Sequence, residues 1–141
     1  MPQRNAEATW KGDLKSGKGS VKLGSGAFEG AYSFGSRFEN APGTNPEELL
    51  GAAHAGCFSM ALSLMLTLAG FKPERVHTIA KVTIDKVGDA FKITKIVLET
   101  EASVPGIDEK VFLEHANKAK TGCPISQALA ATPIELKATL L

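Results

Sequence analysis

Apolar and polar residues alternate over two short stretches near the N-terminus, residues 6–11 and 18–23. This period of two predicts a pair of strands joined by a Gly/Lys/Ser turn that includes Gly12 and Gly17. From Gly24 to Gly35 the pattern lapses into glycines interspersed with Phe28, Tyr32 and Phe34, which reads as a loop leading to a third strand near Ser36–Glu39. After the loop Asn40–Thr44, the chain carries a helix-start signal. Asn45 suits the N-cap, Pro46 the first helical position, and Glu48 the N3 position of a capping box. Glu47 and Glu48 also favour the positive end of the helix dipole. Leu49 to Phe71 is apolar on nearly every side, broken only by small and hydroxyl residues and by His54. A helix should run to about Ala69 and stop at Gly70, with Pro73 just beyond.

Alternation then resumes. Val76–Val87 reads as a strand with Ala80, Val82 and Ile84 on one face, and Gly88-Asp89 as a tight turn into a second strand, Phe91–Val104. The hydrophobic phase changes between Ile93 and Ile96, which predicts a bulge. Asp108 starts a helix through Lys120, stopped by Thr121-Gly122. Pro124 begins a short helix, and Ile134–Leu140 alternates as a closing strand. Strands ahead of a long helix, a hairpin and more helix make the fold α+β. No repeat or linker divides the chain, so residues 1–141 read as a single domain.

The 141 residues suffice for a true hydrophobic core. Sixteen basic and 15 acidic side chains give a formal net charge of +1 without any long like-charged block, which points away from nucleic acid and acidic partners. Met1 to Gly19 lacks the apolar run of a secretory signal. Leu49–Phe71 is long enough to raise a membrane question, but its Gly, Ser and Thr content suits a helix buried at the centre of a domain or dimer. A cytoplasmic location is therefore expected, where a persistent structural disulfide would be unusual. Gly12 and Gly17-Lys18 resemble a P-loop; however, Gly19 replaces the magnesium-binding hydroxyl and a strand follows instead of a helix, so nucleotide binding is discarded.

The candidate chemistry lies in two distant cysteines. Cys57 falls inside the apolar helix and Cys123 stands before Pro124, with neither in a local metal or thioredoxin spacing. Inert core thiols, a structural disulfide, and a reactive thiol with a resolving partner all remain open. Cys123 reads either as the end of a loop or as the N-cap of the short helix, where unpaired backbone N–H groups favour thiolate. His54 shares a face with Cys57, which also admits a Cys–His hydrolase or, with His115 and Cys123, a zinc site. Arg37 reads either as a solvated charge on an edge strand or as a cation that would lower a thiol pKa.

The run Thr44-Asn45-Pro46-Glu47-Glu48-Leu49, continuing to Ala52-Ala53-His54-Ala55-Gly56-Cys57-Phe58-Ser59-Met60-Ala61-Leu62, resembles the osmotically inducible protein C (OsmC) and organic hydroperoxide resistance family. Ala119-Lys120-Thr121-Gly122-Cys123-Pro124-Ile125-Ser126 is similar to that family's second cysteine motif, and Arg37-Phe38-Glu39 matches the osmotically inducible branch. The resemblance implies antiparallel sheets packed around long central helices in an intertwined homodimer. It implies a thiol peroxidase for organic hydroperoxides, and more weakly for hydrogen peroxide. Cys57 would be the peroxidatic cysteine, Cys123 its resolving partner, Arg37 the activator of the Cys57 thiolate and Glu47 the orienter of Arg37. No cofactor is implied beyond an external dithiol reductant, with a lipoyl-bearing protein or thioredoxin as candidate partners. Leu50, Phe58, Met60 and Met65 are candidate apolar walls around Cys57 for a hydrophobic substrate.

Ten residues of straight helix place Cys57 about 15 Å from Glu47 and roughly 80° out of phase. A single Arg37 would struggle to bridge both within one subunit, so, unless the helix breaks near Gly51, Glu47 of one chain is expected to serve Cys57 of the other across the dimer. The alternative function is a non-enzymatic module that binds an apolar ligand and keeps both thiols structural.

Overall fold

A computed structural model describes residues 1–141. The chain divides into two compact units, Met1–Leu49 and Leu50–Leu141.

In the first unit, β1 (Ala6–Lys11), β2 (Lys18–Leu23) and β3 (Glu29–Tyr32) form an antiparallel sheet in that order. The register sets Gly19 between Trp10 and Tyr32. A Cβ at Gly19 would lie 2.5 Å from Tyr32 and 2.6 Å from Trp10, so only glycine lets these rings close to a centroid distance of 5.4 Å. The expected strand at Ser36–Glu39 is absent. The third strand is β3, inside the stretch read as a loop, and Phe34–Phe38 forms a short helix, α1. Ser33 and Ser36 explain the difference. Each side chain accepts the other's backbone N–H, at 3.0 and 2.8 Å, a reciprocal cap that starts a helix where sheet hydrogen bonds would otherwise form. Phe34 and Phe38, one turn apart, pack at 5.1 Å.

Helix α2 (Pro46–Leu68) starts as expected, the Glu48 N–H donating to Asn45 Oδ1 at 2.7 Å. The capping box is only half made, because the Glu48 carboxylate accepts the Thr44 hydroxyl at 2.7 Å. Past the end of α2, Gly70 has φ +93°, a conformation that stops a helix and that L side chains rarely adopt. No break occurs at Gly51.

The second unit holds β4 (Arg75–Val87), β5 (Ala90–Ser103) and β6 (Ile134–Leu140), in the order β4-β5-β6. The β4–β5 hairpin is antiparallel. Thr83 pairs Lys95 and Ile84 pairs Ile93, so Thr94 is the extra residue of the expected bulge. The β5–β6 ladder is parallel, a departure from an all-antiparallel expectation. Its crossover carries α3 (Glu109–Gly122) and α4 (Pro124–Ala128), because parallel neighbours cannot be joined by a tight turn. Phe58, Leu62 and Leu66 of α2, Ile96, Leu98 and Ala102 of β5, and Phe112, Ala116 and Ala119 of α3 share one buried core. The outer sheet face is mainly polar, with Ile79 exposed among its charged residues, and carries the Arg75–Glu101 and Lys81–Glu99 pairs.

Phe112 is fully buried in this core. Phe112→Ala should cost about 3–5 kcal/mol through lost transfer energy and the cavity left behind, read as a lower urea midpoint.

Candidate active site

Arg37 lies on α1, not on an edge strand. Its Nε and Nη2 donate to Glu47 Oε1 and Oε2, both at 2.9 Å, in a bidentate pair at the first turn of α2. Glu47 is buried, while the Arg37 side chain remains about one-third exposed. A cavity of about 260 Å³ lined by Trp10, Leu14, Tyr32, Phe34, Arg37 and Phe38 adjoins the guanidinium. The Met1–Leu49 unit therefore joins a fixed cation to an apolar, aromatic recess.

In the Leu50–Leu141 unit the buried face of α2 recurs at Gly51, His54, Phe58, Leu62 and Leu66. Cys57 lies beside that face and is half-buried, whereas Cys123, between α3 and α4, is fully buried. Both thiols are free, and Cys123 lies close enough to Cys57 to raise its pKa. The Ile125 N–H donates to Cys57 Sγ at 3.5 Å, and the Ser126 N–H donates to Cys123 Sγ at 3.3 Å, making Cys123 the N-cap of α4. Burial pushes the Cys57 thiol above its ordinary value. The Ile125 N–H opposes the shift, while Cys123 adds to it.

Of the apolar walls expected around Cys57, Phe58 is wholly in the core, and Leu50 and Met65 are half-buried. Met60 instead projects outward with 77% exposure, since it falls on the opposite stripe of α2 from Phe58 and Leu62.

His54 is fully buried. Its Nε2 lies 2.7 Å from Ser126 Oγ, and its Nδ1 has no hydrogen-bond partner. The ring is directed at Ser126 and not at Cys57, which takes away the Cys57–His54 pair of the hydrolase reading. No three or more His, Cys, Asp or Glu side chains gather to hold a metal ion, so His54, Cys57, His115 and Cys123 do not form a ligand set. Sequence reasoning gave Ser126 no role. The signal was present in Cys-Pro-x-Ser, which puts a serine at N3 of the helix that the cysteine caps.

Burial alone lowers the His54 pKa. The unfolded chain takes up a proton near pH 6.5 where the folded protein does not, so stability should fall as pH drops below 6.5. The slope is at most about 1.4 kcal/mol per pH unit, and it ends at the folded pKa. Urea titrations between pH 7 and 5 should show this loss in the natural protein and a flatter profile in His54→Gln.

The sequence model of the OsmC-like protein family matches residues 38–138. The chain is 55% identical over 129 residues to the peroxiredoxin OsmC of Escherichia coli K12, covering 91% of this chain and 90% of that one. It is 34% identical over 87 residues to an organic hydroperoxide resistance protein of Xanthomonas axonopodis pv. citri, covering 61% and 59%. Among solved structures, an OsmC-like protein of Mycoplasma pneumoniae superposes with a TM-score of 0.76 at 16% identity, over 99% of this chain and 98% of that one. The organic hydroperoxide resistance protein OhrB of Bacillus subtilis does so with a TM-score of 0.69 at 22% identity, over 97% and 98%. These two likenesses speak to the fold. Family match, long-range identity and shared fold agree, and the chain belongs to the OsmC family.

Proposed function

We propose that this protein is a thiol-dependent peroxidase that reduces organic hydroperoxides through Cys57 and Cys123. The observation that carries the reading is that two free thiols 66 positions apart in the chain are brought close enough to influence one another, Cys57 half-buried and Cys123 fully enclosed. The Cys57 thiolate attacks the peroxide O–O bond. The distal oxygen stays on sulfur as sulfenic acid and the remaining alkoxide takes a proton to leave as alcohol. Cys123 then displaces the hydroxyl group as water, forming a Cys57–Cys123 disulfide. An external dithiol reduces that bond by exchange and is itself oxidised to a disulfide. A lipoyl-bearing protein is the reductant we favour; thioredoxin has the same chemistry.

Thiolate formation needs a cation, because burial acts against it at Cys57. Arg37, oriented by Glu47, supplies one in this reading, and its aromatic recess would hold the organic part of the substrate. The unbroken α2 and the Arg37–Glu47 pair within one chain favour delivery of Arg37 to Cys57 of a second subunit. A homodimer also accounts for the second stripe of α2. Met60, Leu64 and Leu68 follow one another at a spacing of four, 77%, 58% and 79% exposed, on a helix long and apolar enough by composition to cross a membrane. We assign that stripe to the dimer, treat residues 1–141 as one functional domain because α2 runs through both units, and place the protein in the cytoplasm.

Dithiol consumption with cumene hydroperoxide tests the reading. Turnover faster than with hydrogen peroxide, with an intramolecular disulfide detected by mass spectrometry after a single peroxide addition, is the expected outcome. No consumption with lipoyl or thioredoxin dithiols would transfer the assignment to an apolar-ligand-binding module with structural thiols.

A further inference from the structure

We propose that His54, acting through the Ser126 hydroxyl, accepts the proton that Cys123 gives up when it closes the disulfide with Cys57. The inference rests on the two-cysteine cycle above and assigns a positioning residue to its second step.

Cys123 Sγ lies 3.1 Å from Ser126 Oγ, and Ser126 Oγ lies 2.7 Å from His54 Nε2. The Ser126 backbone N–H already donates to the same sulfur. A hydroxyl has one proton to give. If Ser126 gives it to His54 Nε2, the Cys123 S–H donates to Ser126 Oγ, and a continuous donor chain runs from sulfur to imidazole. His54 and Cys123 have no exposed surface and Ser126 has 3%, so the thiol proton has no direct exit to solvent. Within this chain of contacts the acceptor is His54.

The second imidazole nitrogen supports the same assignment. His54 Nδ1 is buried without a partner. An unsatisfied polar atom is a standing cost that a packing residue such as leucine would not incur, and such exceptions in native structures call for a role. Burial also keeps the ring neutral, the form able to accept. The third nearby titratable group, Cys57, stands one turn along α2 and is the target of the attack.

The balance closes. Cys123–SH and Cys57–SOH become the Cys57–Cys123 disulfide and water: the S–S bond forms, the S–O bond breaks, and the sulfenic sulfur is reduced as the thiol sulfur is oxidised. The thiol proton moves to Ser126 Oγ while the Ser126 proton moves to His54 Nε2. The departing hydroxide takes a proton from solvent at the half-buried Cys57 and leaves as water, and His54 later gives back to solvent the proton it gained, so the net reaction neither consumes nor releases a proton.

Closure can be timed without peroxide. A thionitrobenzoate mixed disulfide placed on the accessible Cys57 is attacked by Cys123, releasing coloured thionitrobenzoate. His54→Gln retains a hydrogen-bonding side chain but not a base, and Ser126→Ala breaks the chain. Both should slow release by about a hundredfold, and Ser126→Thr should return it to within about threefold of the natural rate. Labelling of Cys57, which does not use the relay, is the control. In the natural reduced protein, long-range proton–nitrogen NMR should find His54 protonated at Nδ1 and bare at Nε2. Release within about twofold of the natural rate in both variants, or a proton on Nε2, overturns the proposal; if a variant does not fold, the tautomer decides. Relay-dependent release without cumene hydroperoxide turnover would sink the peroxidase reading alone. No release from the natural protein would sink the relay together with the two-cysteine cycle.

Discussion

Replacing Cys57 with serine is expected to abolish hydroperoxide reduction, by at least about a thousandfold, while leaving the fold intact. A serine hydroxyl in this half-buried position stays protonated at neutral pH and has no accessible sulfenic state. The side chain is nearly isosteric and Cys57 only borders the core, so the stability change should stay within about 1 kcal/mol. Cys123→Ser should behave differently. The first oxidation survives, sulfenic acid accumulates at Cys57 and becomes available to trapping reagents, and repeated peroxide drives it irreversibly to sulfinic acid. Stopped-flow peroxide consumption and mass spectrometry separate the two variants. Equal turnover in Cys57→Ser and the natural protein would refute the assignment of Cys57.

Loss of Arg37 should have the next largest effect. The Cys57 thiol sits above its ordinary value because burial penalises the charged form. A thiol held above its ordinary value is almost wholly protonated at pH 7, so an unassisted Cys57 would be slow. Arg37→Met should move the midpoint of Cys57 alkylation up by at least about one pH unit and cut the rate at pH 7 by about ten- to a hundredfold. Glu47→Gln should fall between, since the guanidinium keeps its charge but loses its bidentate anchor. Arg37→Met also strands a buried carboxylate, at a cost of about 1–3 kcal/mol. The double variant Arg37→Met/Glu47→Gln should recover much of that stability and none of the activity, which separates electrostatic activation from folding.

Mixing subunits asks where Arg37 acts. A dimer of one Arg37→Met chain and one Cys57→Ser chain contains one intact Arg37–Cys57 combination only if the arginine serves its partner. Random exchange of the two impaired proteins should then restore about a quarter of the natural activity. Activity that stays at background would place Arg37 with the cysteine of its own chain.

The sequence by itself determined the parts of the fold that rest on local rules. β1, β2 and β6 lie where two-residue alternation placed them, and α2 begins at its Asn-Pro-Glu-Glu signal and ends near Gly70. The bulge at Thr94 followed from a phase change that any strand of fixed pleat must accommodate. The two cysteine motifs were equally legible, because a cap, a proline and a helix face are properties of a few consecutive residues. Tertiary structure decided the rest. Arg37 became helical because Ser33 and Ser36 cap one another, and Ser36 also donates to the Thr44 carbonyl at 2.6 Å, a contact that alternation does not encode. Pairing β6 parallel to β5 depended on the crossover through α3 and α4, so its direction could not be read from its own alternation. Most of all, the environment of each thiol is non-local. Cys57 and Cys123 meet, and His54 reaches Ser126, only when α2 packs beside the α3–α4 corner. Burial and hydrogen bonding then set protonation through groups far apart in the chain.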